Sequence, residues 1–368
     1  MRGDGQVNIR IGLWSIFLMI VLCLSACGRG EPAGGQKGAE PQTQTSSENT
    51  PDKGQTDDLP LKGKNVTLIV PFSPGGGFDT YARMIAPFLE KHSGATVVVQ
   101  NITGGGGIIG ANHLYTSQPD GTTIGIMGGT NLIFSQTSGA EGVQYEVNRY
   151  TFLGRVTAEP NIGLVAAQKP YQTMEDLANA DHLKMAATGL DDDYFTWSVI
   201  AKAFNIQNFE MITGWEGNSQ WLSALAAGDI DGGHTSVGSA LPAINNGYAR
   251  AMLQVSEERH PGLQDVPTAL ELLPAGDPNR ELVQTLTNAW VADRVIVAPP
   301  GMDEALADHM RDVIERTLTD PELVAQAEQA QRPIVFRKGS EIQAAIEEAM
   351  QSVGLLRPIF EEAAAKIR

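Results

Sequence analysis

The chain has 368 residues, with 26 Lys and Arg against 43 Asp and Glu and a formal net charge of −17. That length is enough to bury one large core or two ordinary ones. The charge argues against nucleic acid and anionic lipid surfaces as partners, because both repel an acidic protein, yet a local pocket of backbone amides can still bind a small anion.

In chain order, the first 27 residues stand apart. Arg2 and Arg10 lie in a polar start, Ile11 to Leu24 is an unbroken apolar or small stretch, and Leu24-Ser25-Ala26-Cys27 closes it. The run is short for a membrane-spanning helix and fits the core of an export signal. Small residues before a cysteine resemble the bacterial lipobox, so residues 1–27 are expected to be a lipoprotein signal peptide with lipidation at Cys27. An ordinary secretory signal is the alternative. The chain's 2 cysteines are Cys23 and Cys27, so the exported domain should have no disulfide and no thiol ligand or nucleophile. Residues 28–60 are Gly, Pro, Gln, Thr, Ser and acids, with hardly an apolar side chain. Such a composition cannot offset chain entropy by burial, which predicts a flexible tether.

From Leu61 onward, short β-type runs alternate with amphipathic stretches, the pattern of an α/β architecture with mainly parallel strands. Strands are predicted at 65–71, 96–101, 123–127, 151–156, 163–167, 184–187, 210–212, 251–255 and 288–297. Helical patterns run over 80–92, 108–117, 194–204, 218–227, 303–319 and 340–367. A crossover near 158–161 and a return near 288–293 divide the folded part. One domain would comprise 61–157 plus 288–368, and the other 158–287.

The most informative stretch is 66–83. An apolar run ends at Pro71, Phe72-Ser73-Pro74-Gly75-Gly76-Gly77 follows, and a helical pattern opens around Asp79 and Thr80. A strand feeding a glycine-rich turn at a helix start leaves N–H groups unpaired at the positive end of the helix dipole, a site for an anion. The same grammar recurs at Asn101-Ile102-Thr103-Gly104-Gly105-Gly106-Gly107. Two such loops in tandem suggest a pocket for something small and negatively charged. Further polar loops follow strands at Thr130-Asn131, at Thr188-Gly189 before Asp191-Asp192-Asp193, at Thr213 to Asn218 around Trp215 and Gly217, and at Ser236. Ligands of open α/β sheets bind at the carboxyl ends of strands, where these loops should gather.

Several chemistries are excluded or weakened. Gly105-x-Gly107-x-x-Gly110 matches a dinucleotide fingerprint, but the acidic residue about 20 positions on is missing. No Gly-Lys-Ser/Thr is present, so a phosphate-binding P-loop is out. His234-Thr235-Ser236-Val237-Gly238 lacks the first glycine of a nucleophile elbow. The six histidines show no metal-ligand spacing. Asp191-Asp192-Asp193 lacks the alternating ligands of a calcium loop and reads as a solvated loop or a ligand-facing turn. Neither a cofactor nor a metal is expected.

Pro71 to Asp79, with Arg83 one turn on, resembles the first signature of the substrate-binding proteins of tripartite tricarboxylate transporters, the Bug family. Asn101 to Gly110 is similar to the second signature, and Pro119-Asp120-Gly121 to the turn after it. Gly228-Asp229-Ile230-Asp231, Asn246-Gly247 with Arg250-Ala251-Met252, and Val266-Pro267-Thr268 with Glu271 resemble later landmarks. The likeness runs from about residue 65 to the C-terminus. It implies a two-domain, periplasmic-binding-protein-like α/β fold of the Venus-flytrap type (type II), with one domain discontinuous. It also implies a monomer that closes on a small carboxylate, delivers it to transporter membrane subunits, and performs no chemistry. Carried over, Phe72, Ser73, Gly76, Gly105 and Gly106 would hold a carboxylate through backbone amides, with Asp79 at the pocket edge. Thr130, Asn131, Thr188, Gly189, Asp193, Trp215, Gly217 and Ser236 would complete the pocket. Gly105 stands where the family usually has Ala, Trp215 where Tyr is common, and the acidic triplet replaces a Gly/Ser-rich turn. The extra acids suggest a ligand bearing an amine or hydroxyls. Two other readings compete: a carboxylate-sensing surface lipoprotein, and an extracytoplasmic hydrolase using Ser236 and His234.

Overall fold

The computed structural model describes residues 60–366; the expected signal peptide, the lipidation site Cys27 and residues 28–59 of the expected tether lie outside them. The chain begins β1 (Asn65–Val70), α1 (Gly77–Ser93), β2 (Thr96–Asn101), α2 (Ile108–Tyr115), β3 (Thr123–Met127), α3 (Gly129–Thr137) and β4 (Thr151–Arg155). It continues through β5 (Asn161–Ala166), α4 (Met174–Ala178), β6 (Leu183–Ala186), α5 (Asp192–Ala203), β7 (Phe209–Ile212), α6 (Asn218–Ala227), β8 (Gly232–Ser236), α7 (Val237–Asn245), β9 (Ala249–Val255), α8 (Ala269–Leu272) and α9 (Arg280–Ala289). The last part is β10 (Val295–Ala298), α10 (Glu304–Leu318), α11 (Pro321–Gln329), β11 (Arg337–Lys338), α12 (Gly339–Ser352) and α13 (Arg357–Ala365).

These strands form two sheets, in the orders β11-β4-β10-β3-β1-β2 and β7-β6-β8-β5-β9. Each sheet with its helices makes one lobe. The expectation of mainly parallel strands is corrected: both sheets are mixed. β1 runs parallel to β2 and β3, and β6 parallel to β7 and β8. β5 is antiparallel to both its neighbours, and so is β10. Each is the first strand after the chain crosses between the sheets. A crossing segment enters its new sheet from the opposite end, and so reverses direction.

Local patterns explain the elements. In α1, Tyr81, Ile85, Phe88 and Leu89 recur at helical spacing and are buried, and the helix ends at Gly94 with φ 70°. That left-handed turn is open to glycine at no steric cost. In β2 half-buried and exposed residues alternate, as an edge strand requires. Two predicted elements differ. The strand expected at 288–297 begins as the end of α9, where Val283, Leu286, Thr287 and Ala289 are buried at helical spacing, and only 295–298 pairs as β10. The long C-terminal helix is broken at Val353–Leu356, because Pro358 sits in the first turn of α13 and lacks the N–H a continuing helix needs.

The first sheet buries Leu68, Val70, Ile126 and Ile296 with Met310 and Val313 of α10. In the second, Ile162, Leu164 and Ala186 share a core with Trp221, Leu225 and Ala240 from α6 and α7. An aromatic cluster joins α3, α5 and α13: the Phe360 ring lies 4.8 Å from Phe134 and 4.7 Å from Phe195, so the C-terminal helix packs on both lobes.

Candidate ligand-binding site

The two glycine loops lie side by side because β1 and β2 are parallel neighbours whose carboxyl ends coincide, Val70 pairing with Asn101. Asp79 binds the loops together. Its carboxylate accepts from the Gly75 N–H at 2.8 Å, Arg83 Nε at 2.9 Å and Asn101 Nδ2 at 2.9 Å. Burial alone would raise its pKa, but the hydrogen bonds from Arg83, Gly75 and Asn101 outweigh it and hold the group below its ordinary value. Asp79 thus faces protein donors. In the second loop, Gly104 to Gly107 have φ of 119, 61, 66 and 93°. A run of such angles suits glycine alone.

Helix starts gather here. α1, α6 and α7 begin on the wall of one cavity, and α2 and α3 begin beside it. Their N-caps are Gly76, Gly217, Ser236, Gly107 and Gly128, and none supplies a side-chain cap. By contrast α5, α10 and α11 are capped by Asp191, Asp303 and Asp320. An uncapped start leaves backbone donors without a side-chain partner; at α7 the Val237 N–H goes to the Pro160 carbonyl and the Gly238 N–H to Glu159 Oε1, so the free donors are those of the glycine-capped helices. The glycine-capped starts bring backbone donors to one side of this space, while Asp191, Asp192, Asp193 and Asp293 also line it.

That cavity is lined by Phe72, Gly76, Gly77, Phe78, Asp191 to Asp193, Asn218, Ser236, Trp290, Asp293 and Arg294, and has about 30 Å³ of free volume. Gly76 also lines a wider compartment of about 500 Å³, with Ser219, Ser223, Ser239, Tyr248 and Arg332. A groove of about 280 Å³ between α5 and α13 lies elsewhere and lacks the glycine loops.

The acidic triplet is not a solvated loop: Asp191, Asp192 and Asp193 are 1, 7 and 6% exposed. Asp191 caps α5 through the Tyr194 N–H at 2.8 Å and also accepts from the Thr188 N–H and hydroxyl. Asp193 accepts from Asn161 Nδ2 at 2.8 Å, and Asp192 from the Asp193 N–H at 3.1 Å. Burial pushes Asp191 up to about 6, against its hydrogen bonds. Asp192 and Asp193 go well above their ordinary range, first by burial and then by neighbouring carboxylates. The three offer carboxylate oxygens within 4.8 Å of one another, the one metal-type donor group among the described residues.

Arg294, which sequence reasoning missed, is the buried cation. It pairs with Glu159 at 2.5 Å and Asp293 at 2.7 Å, and donates to Ser236 Oγ at 2.9 Å. Its guanidinium also lies 4.8 Å from the Phe78 ring centre. Burial alone would lower its pKa, but the charges of Glu159 and Asp293 win and hold it protonated. Phe78, Trp290 and Asp293 were missed as well, and Asp192 and Asn218 were read only as members of polar loops after strands. The one sequence signal for Asp293-Arg294 is their place at the predicted return crossing.

Of the sequence-predicted residues, Phe72, Gly76, Asp193 and Ser236 line the cavity. Ser73, Gly106, Asn131, Thr188, Gly189 and Gly217 form the surrounding contacts between loops. Gly105 is exposed beside Ile108. Thr130 donates to the Ala289 carbonyl at 2.9 Å, and Trp215 Nε1 to the Ile212 carbonyl at 3.0 Å, so both polar groups serve the protein itself. His234 and Ser236 share no hydrogen bond among the described residues. His234 Nδ1 lies 2.7 Å from Asn161 Oδ1, and burial lowers its pKa to about 3. The lobes also meet directly, through the Ser135 hydroxyl on the Leu190 carbonyl at 3.0 Å and the Ser73 N–H on the Glu216 carbonyl at 3.0 Å.

Known proteins resemble this chain in sequence and in fold. The model of the tripartite tricarboxylate transporter family receptor matches residues 81–356. A UPF0065 protein from the tcbD-tcbE intergenic region of Pseudomonas sp. strain P51 is 29% identical over 272 residues, covering 72% of this chain and 76% of that protein. Among solved structures, malate-bound MatC of Rhodopseudomonas palustris has a TM-score of 0.66 at 23% identity, covering 82% of this chain and 99% of that one. An R. palustris protein with adipate has a TM-score of 0.67 at 19% identity, covering 81% and 97%. These likenesses identify the two-lobed α/β fold as that of periplasmic binding proteins. With its glycine loops side by side at the carboxyl ends of β1 and β2 and the family model matched across both sheets, the chain belongs to the tripartite tricarboxylate transporter receptor family.

Proposed function

We propose that this protein is an extracytoplasmic solute-binding lipoprotein. It captures a small carboxylate between its lobes and delivers it to the membrane subunits of a tripartite tricarboxylate-type transporter, with no chemistry of its own. The observation that carries this reading is the gathering of four glycine-capped helix N-termini at and beside one cavity between the sheets. Solved relatives holding malate and adipate support the ligand class. The moving bodies would be 61–157 plus 288–368 and 158–287. A ligand gripped by both favours their closed arrangement over the open one. Among the described residues no helix is long and apolar enough to cross a membrane, and attachment would come from lipid on Cys27.

A thermal-shift screen of mono-, di- and tricarboxylates tests the reading. A ligand at a hundred times its Kd should add about 2.7 kcal/mol of stability. If none of them raises the melting temperature at millimolar concentration, the reading is wrong. Cys27→Ser should release the protein from membranes, and continued membrane retention of that variant would remove the lipid anchor.

A further inference from the structure

The two walls of the inner cavity are chemically opposite. One carries donors: the uncapped start of α1 at Gly77, Arg294 and Trp290. Arg294 Nε and the Trp290 indole N–H are buried and have no partner among the described residues. These side chains are only 2 and 6% exposed, so water does not serve them freely. The other wall carries acceptors. Asp191 is committed on both oxygens, to Tyr194 and Thr188. Asp192 and Asp193 each use one oxygen in a hydrogen bond with a described residue and keep the second. Asp192 Oδ2 stands at the gap beside Gly128 and Phe78.

Formal charges at this place do not balance. Asp191, Asp192, Asp193 and Asp293 repel one another here, whereas the cations nearby are Arg294, which acts on Asp192, Asp293 and Glu159, and Arg332, which acts on Glu159. Buried carboxylates in excess of their cations are costly and need a proton or a positive partner. We propose that the ligand of this receptor carries a cationic amine as well as a carboxylate, with its ammonium group seated on the free oxygens of Asp192 and Asp193 and its carboxylate on the donor wall at the start of α1. This rests on the carboxylate-receptor reading and narrows it to an amino acid or a similar zwitterion.

An ammonium group suits the seat better than a divalent ion. Calcium takes six to eight oxygens, whereas Asp191 has none to spare and Asp192 and Asp193 keep one each. An ammonium presents three N–H donors, needs little more room than a water molecule, and is attracted to the faces of Phe72 and Phe78, whose ring centres are 5.0 Å apart. The free volume of about 30 Å³ accommodates such a head group. The rest of the ligand can extend past Gly76 into the wider compartment.

Calorimetric titration of the purified protein with matched pairs decides the question: aspartate against succinate and malate, glutamate against glutarate, 2-aminoadipate against adipate, and 4-aminobutyrate against butyrate. In at least one set the amino compound should bind about tenfold more tightly or better. In the Asp192→Asn, Asp193→Asn double variant that preference should fall to within about twofold, a residual of under 1 kcal/mol. Equal or tighter binding of every amine-free partner to the wild type overturns the amine and leaves the carboxylate receptor standing. So does a preference that survives in the double variant. The wild-type comparison stands even where the variant fails to fold. Stoichiometric binding of Ca²⁺ alone overturns the amine in favour of a metal, and no binding by any compound overturns both readings.

Discussion

The backbone N–H of Ser73 donates to the carbonyl oxygen of Glu216 at 3.0 Å, joining the first glycine loop of one lobe to the loop after β7 in the other. The next residue, Gly217, is extended, with φ 171°, so any side chain fits its backbone. A β-carbon there would nevertheless fall on Ser73 Oγ. Gly217→Ala should therefore weaken ligand binding, because the clash arises only when the lobes meet. Overpacking of this kind costs about 1–3 kcal/mol, about five- to a hundredfold in Kd. Ser73→Gly in the same chain should restore most of it, as read by calorimetry with the best carboxylate from the thermal screen.

Gly189→Ala should do more harm. Its β-carbon would lie 2.7 Å from the Gly106 nitrogen and 3.0 Å from Gly106 Cα. Those are backbone atoms of the second glycine loop and cannot swing aside. We expect a larger loss of affinity than for Gly217→Ala, with each lobe still folded. Wild-type affinity in this variant would show that closure does not bring these loops together.

Asp192→Asn tests the buried charge through pH. The folded pKa of Asp192 lies well above its ordinary 3.8, first through burial and then through Asp191 and Asp293, against a smaller opposing effect of Arg294. The folded state therefore holds the proton more tightly than the unfolded chain, and ionising this group costs stability at neutral pH. Asn never ionises. The ligand-free variant should melt higher than wild type at pH 8, and the gap should narrow as pH falls from the folded value toward 3.8. His234 acts with the opposite sign below its ordinary 6.5, because burial lowers it to about 3. It does so in both proteins and cancels in the difference. A constant gap across that range would contradict the buried-charge account.

Arg294→Met should destabilise the protein by about 3–5 kcal/mol, because Glu159 and Asp293 lose their cation while remaining buried. Glu159→Gln added to that variant should recover part of the loss, since one of the two stranded charges is then gone. Denaturant titration of the single and double variants measures both effects. A neutral Arg294→Met would mean that the buried Glu159 and Asp293 carboxylates do not depend on this cation.

The primary sequence, read alone, determined the glycine loops and their place after β1 and β2, the α/β class and the likeness to the family. All of these are local: an apolar run, a turn that only glycine allows, and a helix start are each written within a dozen neighbouring residues. Asp193, in the first turn of α5, and Ser236, at the end of β8, were singled out from sequence, and both line the cavity. Other features arose only from tertiary structure. Strand direction in β5 and β10 follows from how the chain re-enters each sheet, which no local period encodes. Asp79 looked like a ligand-facing acid, and only folding brings Gly75, Arg83 and Asn101 around its carboxylate. The acidic triplet reads as a solvated loop or a ligand-facing turn in one dimension; packing buries all three carboxyl groups along one cavity. Arg294 owes its role to Glu159, Asp293 and Ser236, two of them distant in the chain, so the balance of charge inside the cleft exists only once the lobes have packed.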